Sequence, residues 1–402
     1  MAISKQDVDK TFKYLLYSRV LRSIGLIYIG LAFSLYLDAL HISLIGIGLV
    51  AALVMLFTIF ITLLYGYIGD RKGFKMELMI GEAVTFAGVA LIAFSAKLPL
   101  IVFGMMLAGL SGGAGSMRGS FSPGSSAFIA NNYRDEKERV RKYSVINMTA
   151  SVSAVGGSIL FALVSPLGKA VGLLLAYRYL FAIAAVLIGI SLAFISRLKE
   201  LQKERKTTRI MTKQSWKYIG KVITVNSLGG IGMGLVVPLL PLWLKLMYHV
   251  DSVEIGTLFT VVYITTALGL YFSLKFAHKF GSLAIAAITR IFSGLLLVAM
   301  AFSPTFVIAA IFWLLRAAIS GFGNPSRTNV NIRGISNEDY GTASSVQGVA
   351  TRVAQLSSGA TGYLMDIALP IPLFVGGIFQ FASGIGYRLV FGKKKSEKRK
   401  KN

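Results

Sequence analysis

Five charged side chains fall inside stretches that are otherwise apolar: Glu82, Arg118, Arg290, Arg316 and Arg352. Charge at bilayer depth is costly, and it is kept where it binds a solute, relays a proton or pairs with another charge. Four arginines against one glutamate favour an anionic or partly anionic partner. Arg316 is the foremost of them, opening the Gly-rich stretch RAAISGFGNPSR that also holds Asn324. Arg352 lies among Gln347, Gln355 and Ser358, a spacing that sets Arg352 and Gln355 on adjoining faces of one helix. Asn226 and Tyr28 complete the candidate solute-binding set.

Glu82 is the one carboxylate deep inside such a stretch. Burial raises a carboxyl pKa, which suits a proton carrier; an ion pair with a neighbouring arginine is the other reading. Asp38 and Asp366 sit at the ends of apolar stretches, where a proton-coupling role for Asp38 competes with simple exposure to water. Arg118 and Arg290 lie near the opposite ends, within reach of headgroups by snorkelling.

Other chemistries find no footing. The chain has no Cys, so disulfides, thiolate catalysis and Cys-ligated zinc are excluded. His41, His249 and His278 lie far apart without metal-ligand spacing. SGGAGSMRGS (111–120) resembles a phosphate-cradling loop but lacks the Gly-Lys-Ser/Thr ending; close helix contact through small residues such as Gly109 with Gly113, and Gly230 with Gly234, explains such stretches better. No nucleophile, base and orienter occur together, and there is no ATP-binding motif. The expectation is a protein that is not an enzyme, needs no cofactor, and draws energy from a gradient.

The elements that must position these residues follow from composition. Of 402 residues, 55% are hydrophobic and 15% charged, against about 25% charged in soluble domains; mean hydropathy is +0.68. Residues 39–69, 98–117, 143–168, 179–196, 222–244, 291–315 and 367–387 contain no Asp, Glu, Lys or Arg. A bilayer-spanning helix needs about 20 apolar residues. The pattern predicts an all-α membrane protein with twelve spans, near 17–37, 42–68, 76–95, 99–121, 143–164, 172–195, 219–244, 252–274, 282–302, 305–325, 341–364 and 370–391. Pro99, Pro166, Pro304 and Pro370 mark short outer connections.

The formal charge is +25. With both termini inside, 34 of the 42 Lys and Arg residues fall on the cytoplasmic side and four outside, the asymmetry that fixes helix orientation. That predicts an N-in, C-in chain in the cell membrane. Lys5 to Arg22 count with the first inner segment. Arg197 to Lys221 mixes charges at helical spacing and reads as a surface helix dividing six spans from six. The expected domains are 1–196, a linker at 197–218, 219–392, and a basic tail at 393–402. The tail and basic loops suit anionic lipid headgroups rather than nucleic acid, and a monomer is expected.

The halves repeat. At an offset of 204 to 210 residues, Ser23 and Gly25 match Ser227 and Gly229, Gly46 matches Gly256, and Gly113 and Gly115 match Gly321 and Gly323. Two pseudo-symmetric six-helix bundles are implied, the build of secondary transporters that place their site at the midplane between repeats.

The loop after the second span reads Gly66-Tyr67-Ile68-Gly69-Asp70-Arg71-Lys72-Gly73-Phe74-Lys75. It resembles the loop signature of the major facilitator superfamily, departing from it at Phe74. KFAHKFG (275–281) resembles the weaker second copy, and YRYLF (177–181) resembles the entry to the family's sixth span. The resemblance implies a gating latch for Gly66, Asp70, Arg71, Gly73 and Lys75, with Asp70 favoured by a helix N-terminus. The acidic partner that family members carry after the fourth span is replaced here by Asn131 and Asn132. The Gly-Pro of the antiporter motif is missing from Val152 to Gly157, though its final glycines remain. The expected function is proton-coupled secondary transport of a small organic solute, anionic in character, by alternating access. The alternatives are a multidrug or metabolite efflux antiporter, and a non-transporting solute sensor or scaffold.

Overall fold

The computed structural model describes residues 5–109, 124–125, 128–129, 132–133, 136–200, 211–336 and 339–392. All regular structure among them is helical. The first half contains α1 (Lys5–Ala39), α2 (Leu44–Lys72), α3 (Phe74–Phe94), α4 (Leu98–Ala108), α5 (Glu136–Ala162), α6 (Val164–Val171) and α7 (Leu173–Ser196). The second contains α8 (Lys213–Val236), α9 (Leu240–Tyr248), α10 (Ser252–Phe280), α11 (Ser282–Ala301), α12 (Phe306–Ile332), α13 (Tyr340–Ala354), α14 (Ser358–Ile367) and α15 (Ile371–Gly392). A 3-10 turn, Gln355–Ser357, joins α13 to α14.

Among the described residues, ten segments are long and apolar enough to cross a membrane, and each coincides with an expected span. The remaining two differ for visible reasons. The fourth span is described only to Ala108 and Gly109, so Gly113, Arg118 and Asn131 lie outside the described residues. The eleventh is interrupted by the 3-10 turn, which leaves two shorter helices. The seventh is also broken, because Pro238 has no amide proton for the helix ladder and Pro241 begins α9. Helix ends run past the expected bounds, α1 starting at Lys5 and α2 continuing to Lys72. Residues 197–200 are not helical, and α8 starts at Lys213; the expected surface helix over Arg197 to Lys221 is therefore corrected at both described ends.

The chain divides into two compact units: residues 1–42, 53–207 and 250–260, and residues 43–52, 208–249 and 261–402. The same pairings recur in each. In the first, α1 packs on α7 and α5, α3 on α7, and α3 on α4; in the second, α8 packs on α15 and α13, α11 on α15, and α11 on α12. The sequence repeat is thus a repeat of packing. Small residues allow the closest approaches: a Cβ on Gly88 would sit 2.6 Å from the Gly104 carbonyl oxygen, and one on Gly232 2.5 Å from that of Gly376. Gly230 and Gly234 press on Ala354 and on the Gln355–Ser357 turn as expected. Gly109 instead ends α4 in the left-handed conformation, φ 68°.

Outward faces are apolar. On α2, Leu49, Leu53, Leu56, Phe60, Leu63 and Tyr67 are exposed at helical spacing, a surface suited to lipid rather than water. Polar caps close the starts of α8 and α12. The Thr212 hydroxyl accepts the Ser215 amide at the start of α8. Asp339 accepts the Thr212 amide at 3.1 Å, its hydroxyl at 2.7 Å and the Ser336 hydroxyl at 2.7 Å. Hydrogen bonding from Ser215, Thr212 and Ser336 holds the Asp339 carboxyl well below the usual range.

Candidate functional site: buried charge in two helical units

In the first unit the buried charge centres on Glu82 of α3. One carboxylate oxygen pairs with the Arg22 guanidinium of α1, and the other accepts the Ser191 hydroxyl of α7. Ser191 and Ser18 are 2.8 Å apart, Oγ to Oγ. Arg19, Arg22 and Glu82 are each 1% exposed. Arg19 and Arg22 are thus core residues and not part of the flanking basic segment in which the charge count placed them. The missed signal is their i, i+3 spacing between Ser18 and Ser23, which sets a polar stripe on one helix face. Of the two readings of Glu82, the ion pair is the arrangement seen.

Tyr28 is fully buried beside Phe181 and donates to the Tyr177 carbonyl at 3.0 Å. That packs Tyr28, expected in the solute-binding set, between α1 and α7. Asp38 is half-buried at the far end of α1.

In the second unit Arg290 of α11 is the hub. Its Nη1 donates to Ser383 Oγ at 2.9 Å and its Nη2 to Asn226 Oδ1 at 3.3 Å. Ser383 Oγ in turn donates a hydrogen bond to the Val225 carbonyl. The Tyr387 hydroxyl lies 2.8 Å from Asn226 Oδ1 and 2.9 Å from Asn331 Oδ1. Arg316 of α12 is 6% exposed, lies 4.2 Å over the Trp313 ring and donates to the Met233 thioether. Arg327, also on α12, reaches back to the Ser320 carbonyl at 3.0 Å. Arg290 fills the space at Gly229 and Arg316 reaches Met233 about one turn farther along α8, while Gly323, beside Arg327, packs against Thr289, the chain neighbour of Arg290. No described carboxylate lies within ion-pairing distance of any of these three arginines.

Glycines make room for this cluster. A Cβ on Gly229 would collide with Arg290 Nη1 and lie 3.1 Å from Gln380 Oε1. One on Gly323 would meet Thr289 and come within 2.9 Å of Arg327 Nη1. Arg290 therefore does not snorkel outward; it turns inward through the gap at Gly229. Asn226, expected in the solute set, joins this hub. Gln347 and Arg352 are half-buried on α13, Gln355 opens the 3-10 turn, and Asn324 is exposed on α12; no hydrogen bond ties these four to Arg316. Gln380, Ser383 and Tyr387 join the cluster without having been singled out by sequence, and Arg327 is the residue that closes the RAAISGFGNPSR stretch.

The loop between α2 and α3 is organised around Gly73, which precedes α3 at φ 95° and ψ 153°. The Glu200 carboxylate accepts the Phe74 amide at 3.0 Å and the Lys75 amide at 2.8 Å. Arg71 lies 4.5 Å over the Tyr67 ring; the Asp70 side chain lies outside the description. A Cβ on Gly66 would meet nothing within 4 Å, whereas one on Gly69 would press on the Phe74 ring and on Glu77. Gly69, not Gly66, is the close-packed glycine. Asn132 donates to the Lys199 carbonyl at 3.2 Å, close to Glu200 in the chain.

Residues 15–359 match the Major Facilitator Superfamily. The chain belongs to that superfamily. Its curated relatives include the vesicular acetylcholine transporters of Homo sapiens, 24% identical over 255 residues (61% of this chain, 46% of that protein), and of Drosophila melanogaster, 22% identical over 221 residues (52% and 36%). The matches thus span less than half the length of those relatives. Among solved structures, a D-xylose–proton symporter aligns with TM-score 0.74 at 14% identity over 95% of this chain and 97% of that one. An auto-inhibited POT family peptide transporter aligns with TM-score 0.73 at 12% identity over 96% and 97%. Members of the superfamily fold share helices while differing in solute, so the fold itself leaves the solute open.

Proposed function

We propose that this superfamily member is a proton-coupled secondary transporter that moves a small organic anion by alternating access. The observation that carries the reading is Arg316, a buried guanidinium met by a thioether and an indole face, with no counter-charge among the described residues. Leaving a charge so poorly compensated is unfavourable for folding alone, and a solute that supplies the negative charge accounts for it. Glu82 is the proton-coupling candidate, since protonation would release it from Arg22. The protein is placed in the cell membrane as a monomer, both termini cytoplasmic, with its basic loops on anionic headgroups. Gly66, Asp70, Arg71, Gly73 and Lys75 serve as the gating loop, and Arg352, Gln347, Gln355 and Asn324 extend the solute-contacting set.

Flux of radiolabelled organic acids into proteoliposomes, with and without a pH gradient, tests the reading. Uptake should follow the gradient, collapse with a protonophore and fall at least tenfold in Arg316→Ala. Uptake unchanged by that substitution would remove Arg316 from the reading, and indifference to the gradient would remove the proton. A second reading, antiport of an organic cation, is favoured by the names of the vesicular acetylcholine transporters; choline esters in the same assay distinguish it.

A further inference from the structure

We infer that Arg290, Arg316 and Arg327 form one site for a small anion bearing two negative charges, such as a dicarboxylate or a phosphate. The inference rests on the transporter reading of Arg316 and goes further, because it assigns two arginines and a charge class. Three guanidinium groups in one unit, with no described carboxylate within ion-pairing distance, carry a formal charge that one carboxylate would leave largely uncompensated. Two negative charges on one small solute neutralise most of it.

The site is built rather than incidental. Arg290 is oriented by Asn226 and Ser383, which solvate its charge without cancelling it. Both are fixed in turn, Asn226 by Tyr387 and Ser383 by the Val225 carbonyl. Gln380 is 6% exposed and its Oε1 accepts no hydrogen bond; Arg316 Nε and Arg290 Nε are likewise buried and unbonded. Buried polar atoms are ordinarily satisfied, so the two unmet Nε–H donors mark a place where an anion completes the bonding; Gln380 Oε1, an acceptor, is not such a group. Arg290 and Arg327 keep part of their surface accessible, which a ligand requires. Gly229 and Gly323 hold open the space that the guanidinium groups occupy.

Thermal unfolding of the purified full chain in an uncharged, lipid-free detergent tests this. The probes are succinate, inorganic phosphate and sulfate, compared at matched ionic strength with the monoanion methanesulfonate and the neutral succinamide. The dianions should raise Tm by several degrees, methanesulfonate by less, and succinamide not at all. Arg290→Gln and Arg316→Gln should abolish most of the dianion shift. Their Tm without anion should equal or exceed that of the parent chain, because a repelling charge has been removed. Gly229→Ala, which displaces the Arg290 guanidinium, should weaken the shift in the same direction.

Equal shifts in parent and variants would assign the effect to the basic surface and overturn the site. So would a lower anion-free Tm in both Gln variants with no dianion shift in the parent. An equal shift with an added anionic lipid, and none with the soluble anions, would assign the cluster to headgroups and overturn it too. The two readings fail separately. A dianion shift without flux leaves the site and removes transport, whereas flux of a cation with no dianion shift does the reverse.

Discussion

Glu200 and Gly73 are fitted to one another: the carboxylate lies where a side chain on Gly73 would be, with Oε2 2.9 Å from the position of a Cβ. From there it receives two amides from the first turn of α3. Helix N-termini favour negative charge, and Glu200 supplies it from just beyond the end of α7. A loop that follows α2 and a segment that follows α7 are thereby joined within one unit.

Gly73→Ala should be costly twice, through the backbone and through Glu200. The φ 95°, ψ 153° conformation is nearly exclusive to glycine, and forcing another residue into it costs of order 1–3 kcal/mol. Glu200→Ala should cost about 1 kcal/mol, as for loss of a helix cap. The two losses should be less than additive, as measured by unfolding of single and double variants. Full additivity would mean that the two residues act independently.

The Arg22–Glu82 pair should behave as a buried ion pair. Removing one partner leaves an uncompensated charge and typically costs about 3–5 kcal/mol. Glu82→Gln and Arg22→Gln should each lower Tm sharply, and the double variant should recover part of the loss. A double variant as unstable as the sum of the singles would disprove the coupling.

Asp339 predicts an acid limb in the stability profile. Its folded pKa lies below that of the unfolded chain, so its contribution is complete above the unfolded value of about 3.9. That contribution is lost progressively as pH falls below it. Tm measured from pH 5 to pH 3 should therefore fall less steeply in Asp339→Asn than in the parent chain. Parallel curves would show that the Thr212 and Ser336 contacts do not discriminate the ionised form.

The absence of Cys makes the membrane orientation directly testable. Single-Cys variants at the exposed positions Ser196 and His249 should differ towards an impermeant maleimide. His249→Cys should label in intact cells and Ser196→Cys only after permeabilisation. The opposite pattern would invert the orientation read from the basic residues.

The spans were legible because a run of some 20 uncharged residues has few other uses, and the repeat was legible because Gly229 and Gly25 recur with their neighbours. The pairings were not. Glu82 meets Arg22 only because α1 and α3 both pack on α7, a tertiary fact absent from local spacing. Arg290 looked peripheral by position, and its inward turn depends on Gly229, Asn226 and Ser383 from two other helices. Counting basic residues near a span end cannot separate an arginine that reaches outward from one that faces the core, which is why Arg19 and Arg22 were misplaced. Glu200 sits in a charged run whose spacing imitates a surface helix, while its carboxylate serves another helix altogether.

Pro325 lies inside α12, between Arg316 and Arg327. Without an amide proton it leaves a gap in the hydrogen-bond ladder, and its ring crowds the preceding turn. The segment is therefore more compliant there than on either side, a joint within an otherwise stiff rod. The separation of these two arginines is thus the adjustable dimension of the cluster, and an ion gripping both would lock the joint at a single angle.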